Sequence, residues 1–192
     1  MNLENLNFED SDIGIDEWDK TAFGGWYYVR QRCDRSNCGN RCKAYEGSCY
    51  ALISAGDTQL EVTDPQELWR TDFRVPEVDT TGVCPFDKKD NSFCFSFAMR
   101  FDAKDFWSLG KNDFFSIEIE LDDGSKLFEK TISVSDVGDR GDSGWEVVEV
   151  ALPTVPTGKP THFGFRASTT NVGDFWLDSI GYIDDLKIKL CD

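Results

Sequence analysis

Histidine is almost missing from this chain, with His162 the only one in 192 residues. Any Ser-His-Asp or Cys-His arrangement would have to be built on that one ring. It stands in T-H-F-G-F, where alternation sets it opposite Phe163 and Phe165 and so on the solvent side of a strand. A Gly-x-Ser-x-Gly elbow, a phosphate-cradling glycine loop and an H-E-x-x-H pair are missing as well. Sandwich glycosidases work with two carboxylates, but I-E-I-E-L-D-D at 117–123 does not match the clustered Glu-x-Asp-x-x-Glu strand of one such group. The chain is therefore read as non-catalytic, a glycan-acting hydrolase being the enzymatic alternative.

Basic residues are scarce: 20 Lys and Arg stand against 36 Asp and Glu, for a formal charge of −16. Such a surface repels phosphates and anionic headgroups, which argues against nucleic-acid and membrane partners. It suits cations or uncharged ligands such as sugars. No apolar run approaches the roughly 18 residues that span a bilayer, so no membrane insertion is expected. Met1 to Asp10 shows no basic region followed by an apolar segment, and no signal peptide is read there.

Cysteine, by contrast, is plentiful. Of seven cysteines, Cys33, Cys38, Cys42 and Cys49 crowd together beside Gly39 and Gly47. The spacing C-x4-C-x3-C-x6-C lacks the paired knuckles of most structural zinc sites, so a disulfide-stapled loop in an oxidised, secreted or extracellular domain is the better reading. An odd count leaves one thiol free or paired outside the chain. Fifteen Phe, six Trp and five Tyr supply ample core, and the length suits one domain, 1–192, with residues 33–49 as a cysteine-rich insertion.

Short alternating runs separated by turn residues fill most of the chain. They lie at 49–54, 68–75, 93–101, 114–121, 126–134, 145–152 and 161–167, with a terminal strand behind them. Asp122-Asp123-Gly124-Ser125 between two such runs is a strong hairpin signal. The pattern predicts an all-β fold, a two-sheet antiparallel sandwich of jelly-roll type. One strand poses a problem. In I-D-D-L-K-I-K-L, Leu186, Ile188 and Leu190 alternate with lysines, and carrying the alternation back puts Asp184 on the apolar side. A buried carboxylate must protonate, find a partner or bind a cation.

The order of features resembles MAM domains, extracellular jelly-roll modules of adhesion receptors and secreted proteases, and more distantly the calcium-containing carbohydrate-binding jelly rolls. The resemblance runs through N-F-E-D (7–10) with Trp18, Y-E-G-S-C-Y-A-L (45–52), C-F-S-F-A-M-R-F (94–101), G-D-S-G-W (141–145) and I-G-Y-I-D-D-L-K-I-K-L-C (180–191). It implies a structural calcium ion held by Glu9 and by Asp184 or Asp185, with carbonyls near Asn7 and from Tyr45 to Gly47 completing an oxygen shell. A bulge at Gly181 would exchange the two aspartates. It also implies a Cys94–Cys191 disulfide.

Two further segments carry weaker signals. Asp136, Asp139 and Asp142 are spaced like a calcium loop but lack its closing Glu, so a solvated turn is preferred. Within it, Arg140-Gly141-Asp142 is a tripeptide that integrins read. For ligand contact the sequence offers loop aromatics: Trp26, Tyr27 and Tyr28 after two glycines, Phe106 with Trp107, and Trp176. Trp69 and Trp145, in strand-like contexts, are read as structural. The expected partner is a glycan or an extracellular protein, in the latter case through homophilic or receptor adhesion.

Overall fold

The computed structural model describes residues 8, 9, 15, 18–21, 28–34, 43–54, 66–78, 93–103, 113–138, 141–170 and 179–191. Two five-stranded antiparallel sheets face each other. Sheet A runs β1 (Asp19–Thr21), β4 (Gln66–Arg74), β11 (His162–Thr170), β7 (Phe114–Leu121), β8 (Lys126–Ser133). Sheet B runs β2 (Tyr28–Cys33), β3 (Cys49–Ser54), β12 (Ile180–Leu190), β6 (Phe93–Asp102), β9 (Glu146–Ala151). A short parallel pair, β5 (Glu77–Val78) with β10 (Val155–Pro156), and one helical turn, α1 (Val134–Val137), complete the elements. The two-sheet sandwich expected from alternation is the observed fold.

The core is aromatic because period-2 alternation sends phenylalanines inward from both sheets. Phe95, Phe97, Met99 and Phe101 of β6 meet Phe115, Ile117 and Ile119 of β7 and Phe163 and Phe165 of β11, all at most 1 % exposed. Ring centroids lie 5.0 Å apart for Phe95–Phe163, 5.2 Å for Phe73–Phe163 and 5.3 Å for Phe97–Phe165. Each such burial contributes roughly 1.5–3 kcal/mol. Gly181 of β12 is part of this packing, since a Cβ there would lie 2.2 Å from the Phe115 ring. The ring from sheet A fills the space that a side chain in sheet B would need.

Most strand boundaries follow local sequence. The 122–125 turn closes with Gly124 at φ 82° and with Asp123 Oδ1 accepting the Ser125 N–H at 2.9 Å. Past β9, Pro153 cannot donate to a ladder. Three expectations differ. The run at 126–134 ends in β8 at Ser133, after which α1 begins, with Asp136 accepting from the Ser133 N–H (2.8 Å) and hydroxyl (2.6 Å). The strands β1 and β2 were not evident in the sequence. The bulge falls not at Gly181 but further along β12, where Asp184 pairs with Ala98 and Lys187 with Ser96, leaving Asp185 and Leu186 together against Phe97.

That bulge settles the orientation of the aspartates. With Asp185 at φ 49°, the alternation resets: Ile183 and Leu186 both enter the core, while Asp184 shares a face with Tyr182. Asp184 is fully buried, but against the outer side of sheet B rather than between the sheets.

Candidate functional site

The first site is a turn with a carboxylate on either side. Residues Tyr45 to Cys49 lead into β3 and turn their backbone N–H groups toward two acids from distant parts of the chain. Glu9 Oε1 accepts from Ser48 and Cys49, both at 2.9 Å. Asp184 Oδ2 accepts from Tyr45 at 2.7 Å and from Glu46 at 3.1 Å, and its Oδ1 accepts the Asp185 N–H at 2.7 Å. Gly47 lies between, at φ 65°, and a Cβ there would come within 2.3 Å of Glu9 Oε1. The position needs glycine twice over, for its backbone and for the close approach of the acid. On the other side of Glu9, Phe8 is buried against Trp18 with centroids 5.7 Å apart, and its carbonyl accepts from the Gln31 side chain.

The electrostatics of this turn are unbalanced. Burial pushes the Asp184 carboxyl up to about 7; the N–H groups of Glu46, Asp185 and Tyr45 pull it back, and the charge of Glu9 pushes it further up. Lys187 is drawn elsewhere, to Asp185 at 2.6 Å and to Glu46 at 3.7 Å. Among the described residues no lysine or arginine is ion-paired with Glu9 or Asp184. Carboxylate oxygens are the hard ligands that calcium takes, and here Glu9 Oε1 and both Asp184 oxygens accept backbone N–H groups, where the resemblance implied carbonyls from Tyr45 to Gly47. No group of three or more His, Cys, Asp or Glu side chains converges among the described residues, so an ion here would draw the rest of its shell from carbonyls and water.

Of the residues the sequence proposed for calcium, Glu9, Tyr45, Gly47 and Asp184 come together, while Asp185 turns to Lys187. Asn7 lies outside the described residues. The cysteine expected on the strength of the resemblance does join the last strand to mid-chain: Cys94–Cys191 has an S–S distance of 2.04 Å. Cys33 and Cys49 are directly opposed partners in β2 and β3 and form a second bridge, S–S 2.02 Å, at the base of the 34–48 loop. Cys38, Cys42 and Cys84 lie outside the described residues.

The second site is a groove of about 250 Å³ on the outer face of sheet A. Trp69 of β4, Arg166 of β11 and Glu118 of β7 sit in one cross-strand row. Glu120 lies beside Gly164, whose missing side chain deepens the floor, and Thr71 closes the near wall. Arg166 is 53 % exposed, with its Nη1 4.0 Å from Glu67 Oε1. Glu118 lies 3.6 Å from Lys126 Nζ. Trp69, read from the sequence as structural, is half-buried in β4 and lines this groove. The signal was present in the sequence, because Leu68 points inward and its neighbour must point out. Trp145 keeps its structural part, donating from Nε1 to the Lys43 carbonyl at 3.1 Å and meeting Tyr45, Tyr50 and Tyr182 edge-on.

Trp26, Tyr27, Phe106, Trp107 and Trp176 lie outside the described residues, and Tyr28 opens β2. The acid of the Arg-Gly-Asp tripeptide is occupied. Asp142 pairs with the buried Arg100, Nε to Oδ1 at 2.9 Å, and also accepts the Gly144 N–H at 2.8 Å. Arg100 lies over the Tyr182 ring, 5.3 Å from its centroid. Burial works against the guanidinium charge, and Asp142 more than offsets it.

No protein-family model and no curated protein matches the chain. Solved structures do. A Stig cyclase, Fisc, from Fischerella sp. TAU aligns with a TM-score of 0.53 at 13 % identity, covering 98 % of this chain and 96 % of that one. An exo-beta-agarase aligns with a TM-score of 0.52 at 9 % identity, over 97 % of this chain but only 24 % of that one. A carbohydrate-binding module of the beta-sandwich superfamily covers 96 % of this chain and 61 % of that one, at 12 % identity and a TM-score of 0.45. The likeness is one of fold. At such identities it passes on neither a catalytic set nor a ligand.

Proposed function

We propose that this chain is a non-catalytic recognition module that works outside the cell, binds glycan in the groove of sheet A and is braced by calcium at Glu9 and Asp184. The observation that carries the reading is the groove itself. A half-buried indole, Trp69, is flanked by a donor, Arg166, and acceptors, Glu118 and Glu120, across three neighbouring strands. A pyranose ring has an apolar face to stack on the indole and hydroxyls that both give and accept hydrogen bonds. Neighbouring strands hold these groups in place. The calcium would be structural: with Glu9 and Asp184 as side-chain ligands, it would tie the early segment and β12 to the 45–49 turn and neutralise the buried acid. The Cys33–Cys49 and Cys94–Cys191 disulfides suit an oxidising compartment. Among the described residues no helix is long and apolar enough to cross a membrane.

A protein-binding reading has one observation of its own. Tyr45 is 44 % exposed and meets the Trp145 ring edge-on, and Val147 of β9 is 43 % exposed, on the outer side of sheet B. A glycan array probed in calcium buffer, with Trp69→Ala, Trp26→Ala and Trp107→Ala variants, separates the two. Binding to a narrow glycan class, lost in Trp69→Ala, supports the groove. Silence across the array from a folded sample removes the glycan reading and leaves adhesion through the Tyr45 face.

A further inference from the structure

We propose that the groove of sheet A admits uncharged glycan chains and turns away those carrying carboxylate or sulfate groups, with Glu118 and Glu120 as the residues that set this selectivity. The inference rests on the glycan reading above and adds the ligand's charge class to it.

Glu120 is exposed and, among the described residues, takes no part in an ion pair or side-chain hydrogen bond. Glu118 has only Lys126, at 3.6 Å, a lysine drawn more closely to Glu129 at 2.8 Å. Asp122 lines the same groove, where its Oδ2 accepts the His162 N–H at 3.2 Å. A carboxylate accepts hydrogen bonds and cannot donate them. Sugar hydroxyls satisfy it, whereas a uronate or sulfate oxygen brings like charge and no proton. Among the described residues the one cation in the lining is Arg166, with its Nη1 4.0 Å from Glu67 Oε1. An acidic sugar that reached Arg166 would also have to sit beside Glu118, its direct cross-strand neighbour. The chain's formal charge of −16 adds a longer-range repulsion, felt over about 10 Å at 0.1 M salt.

Trp69 supplies stacking to neutral and acidic pyranosides alike, so it decides whether a sugar binds and the two glutamates decide which charge class. Vicinal hydroxyls suit the row, one giving its proton to Glu118 or Glu120 and the other accepting from Arg166.

The test compares neutral xylo-, manno- and cello-oligosaccharides with uronate-bearing or sulfated counterparts of equal length, by calorimetry at about 50 mM and 500 mM salt. Variants are Trp69→Ala, Arg166→Ala and the doubly substituted Glu118→Gln/Glu120→Gln, each checked for an unchanged melting profile. The expected result is a neutral ligand bound more weakly in Trp69→Ala, with its acidic counterpart at least roughly tenfold weaker at low salt. That gap should shrink to about threefold in the double Gln variant and at high salt. An acidic chain bound through Trp69 as tightly as the neutral one overturns the selectivity and leaves the glycan reading standing. A gap that survives the double Gln variant removes Glu118 and Glu120 as its source. Neutral binding untouched by both Trp69→Ala and Arg166→Ala removes the groove as the glycan site, and with it the selectivity, whereas no binding of any oligosaccharide removes the glycan reading itself. Arg166 is exposed, so its variant keeps the test open if Trp69→Ala does not fold.

Discussion

Glu9 and Asp184 accept hydrogen bonds from consecutive pairs of residues in one turn, Ser48 with Cys49 and Tyr45 with Glu46. Strand β12 and the segment before β1 are thus joined through a third piece of chain, by two carboxyl groups that share no cationic side chain among the described residues.

The chelated protein should lose stability as pH rises from about 5 to 7. Asp184 is pushed up to about 7 in the fold, against an ordinary value of 3.8. Between those values the folded chain holds a proton that the unfolded chain has shed, so unfolding becomes easier as pH increases. The contribution is present below the ordinary value and gone above about 7. Asp72, Glu77, Asp123 and Asp136 are shifted the opposite way, but their effect falls below pH 5. Thermal melting in chelator across this range checks the slope. Asp184→Asn should flatten it, and an unchanged slope in that variant would sink the assignment to Asp184.

Calcium should raise the melting temperature most at pH 8, where Asp184 is ionised, and by RT ln(1 + [Ca]/Kd) in free-energy terms. Asp184→Asn should abolish the response while melting higher than the native chain in chelator. Glu9→Gln should weaken the response without that gain. A native chain whose melting is indifferent to calcium would rule out the brace.

Gly181→Ala should destabilise by about 1–3 kcal/mol, because the added methyl enters the Phe115 ring. Gly181→Ala with Phe115→Leu should recover part of that loss, so the double-mutant cycle shows coupling. Additive losses would mean that the ring moves aside freely.

Asp142→Asn should cost about 2 kcal/mol or more, since it weakens the pairing of a guanidinium whose side chain is only 5 % exposed. Replacement of the Arg-Gly-Asp tripeptide's acid should therefore be read out as urea midpoint, and it should shift even where no integrin is present.

Much of the fold was legible where the cause is local. In β6 and β7 every second residue is apolar, and the 122–125 turn carries its own Asp-Gly chemistry; these were placed within a residue. Strand β2 was missed because only Val29 among its inward positions is a large hydrophobe, and its pairing is dictated by β3. The Asp184 puzzle shows the limit of a period-2 rule: one extra residue opposite Phe97 shifts the phase, and only the partner strand reveals it. The meeting of Glu9 with the 45–49 turn came from family resemblance. The groove escaped because its residues belong to three strands whose adjacency depends on sheet order.

Sheet order also governs how the molecule can be made. Strand β12 lies in the middle of sheet B, between β3 and β6, and β11 lies in the middle of sheet A, between β4 and β7. As the chain leaves the ribosome, β3 and β6 emerge without the strand that separates them, and so do β4 and β7. Sheet A stays in two open halves, with unpaired inner edges, until synthesis has passed Thr170, and sheet B until it has passed Leu190. Closure by such distant segments is slow, and the exposed half-sheets are sites for mispairing between neighbouring chains. Removal of β12 should thus leave aggregating fragments rather than a smaller folded domain.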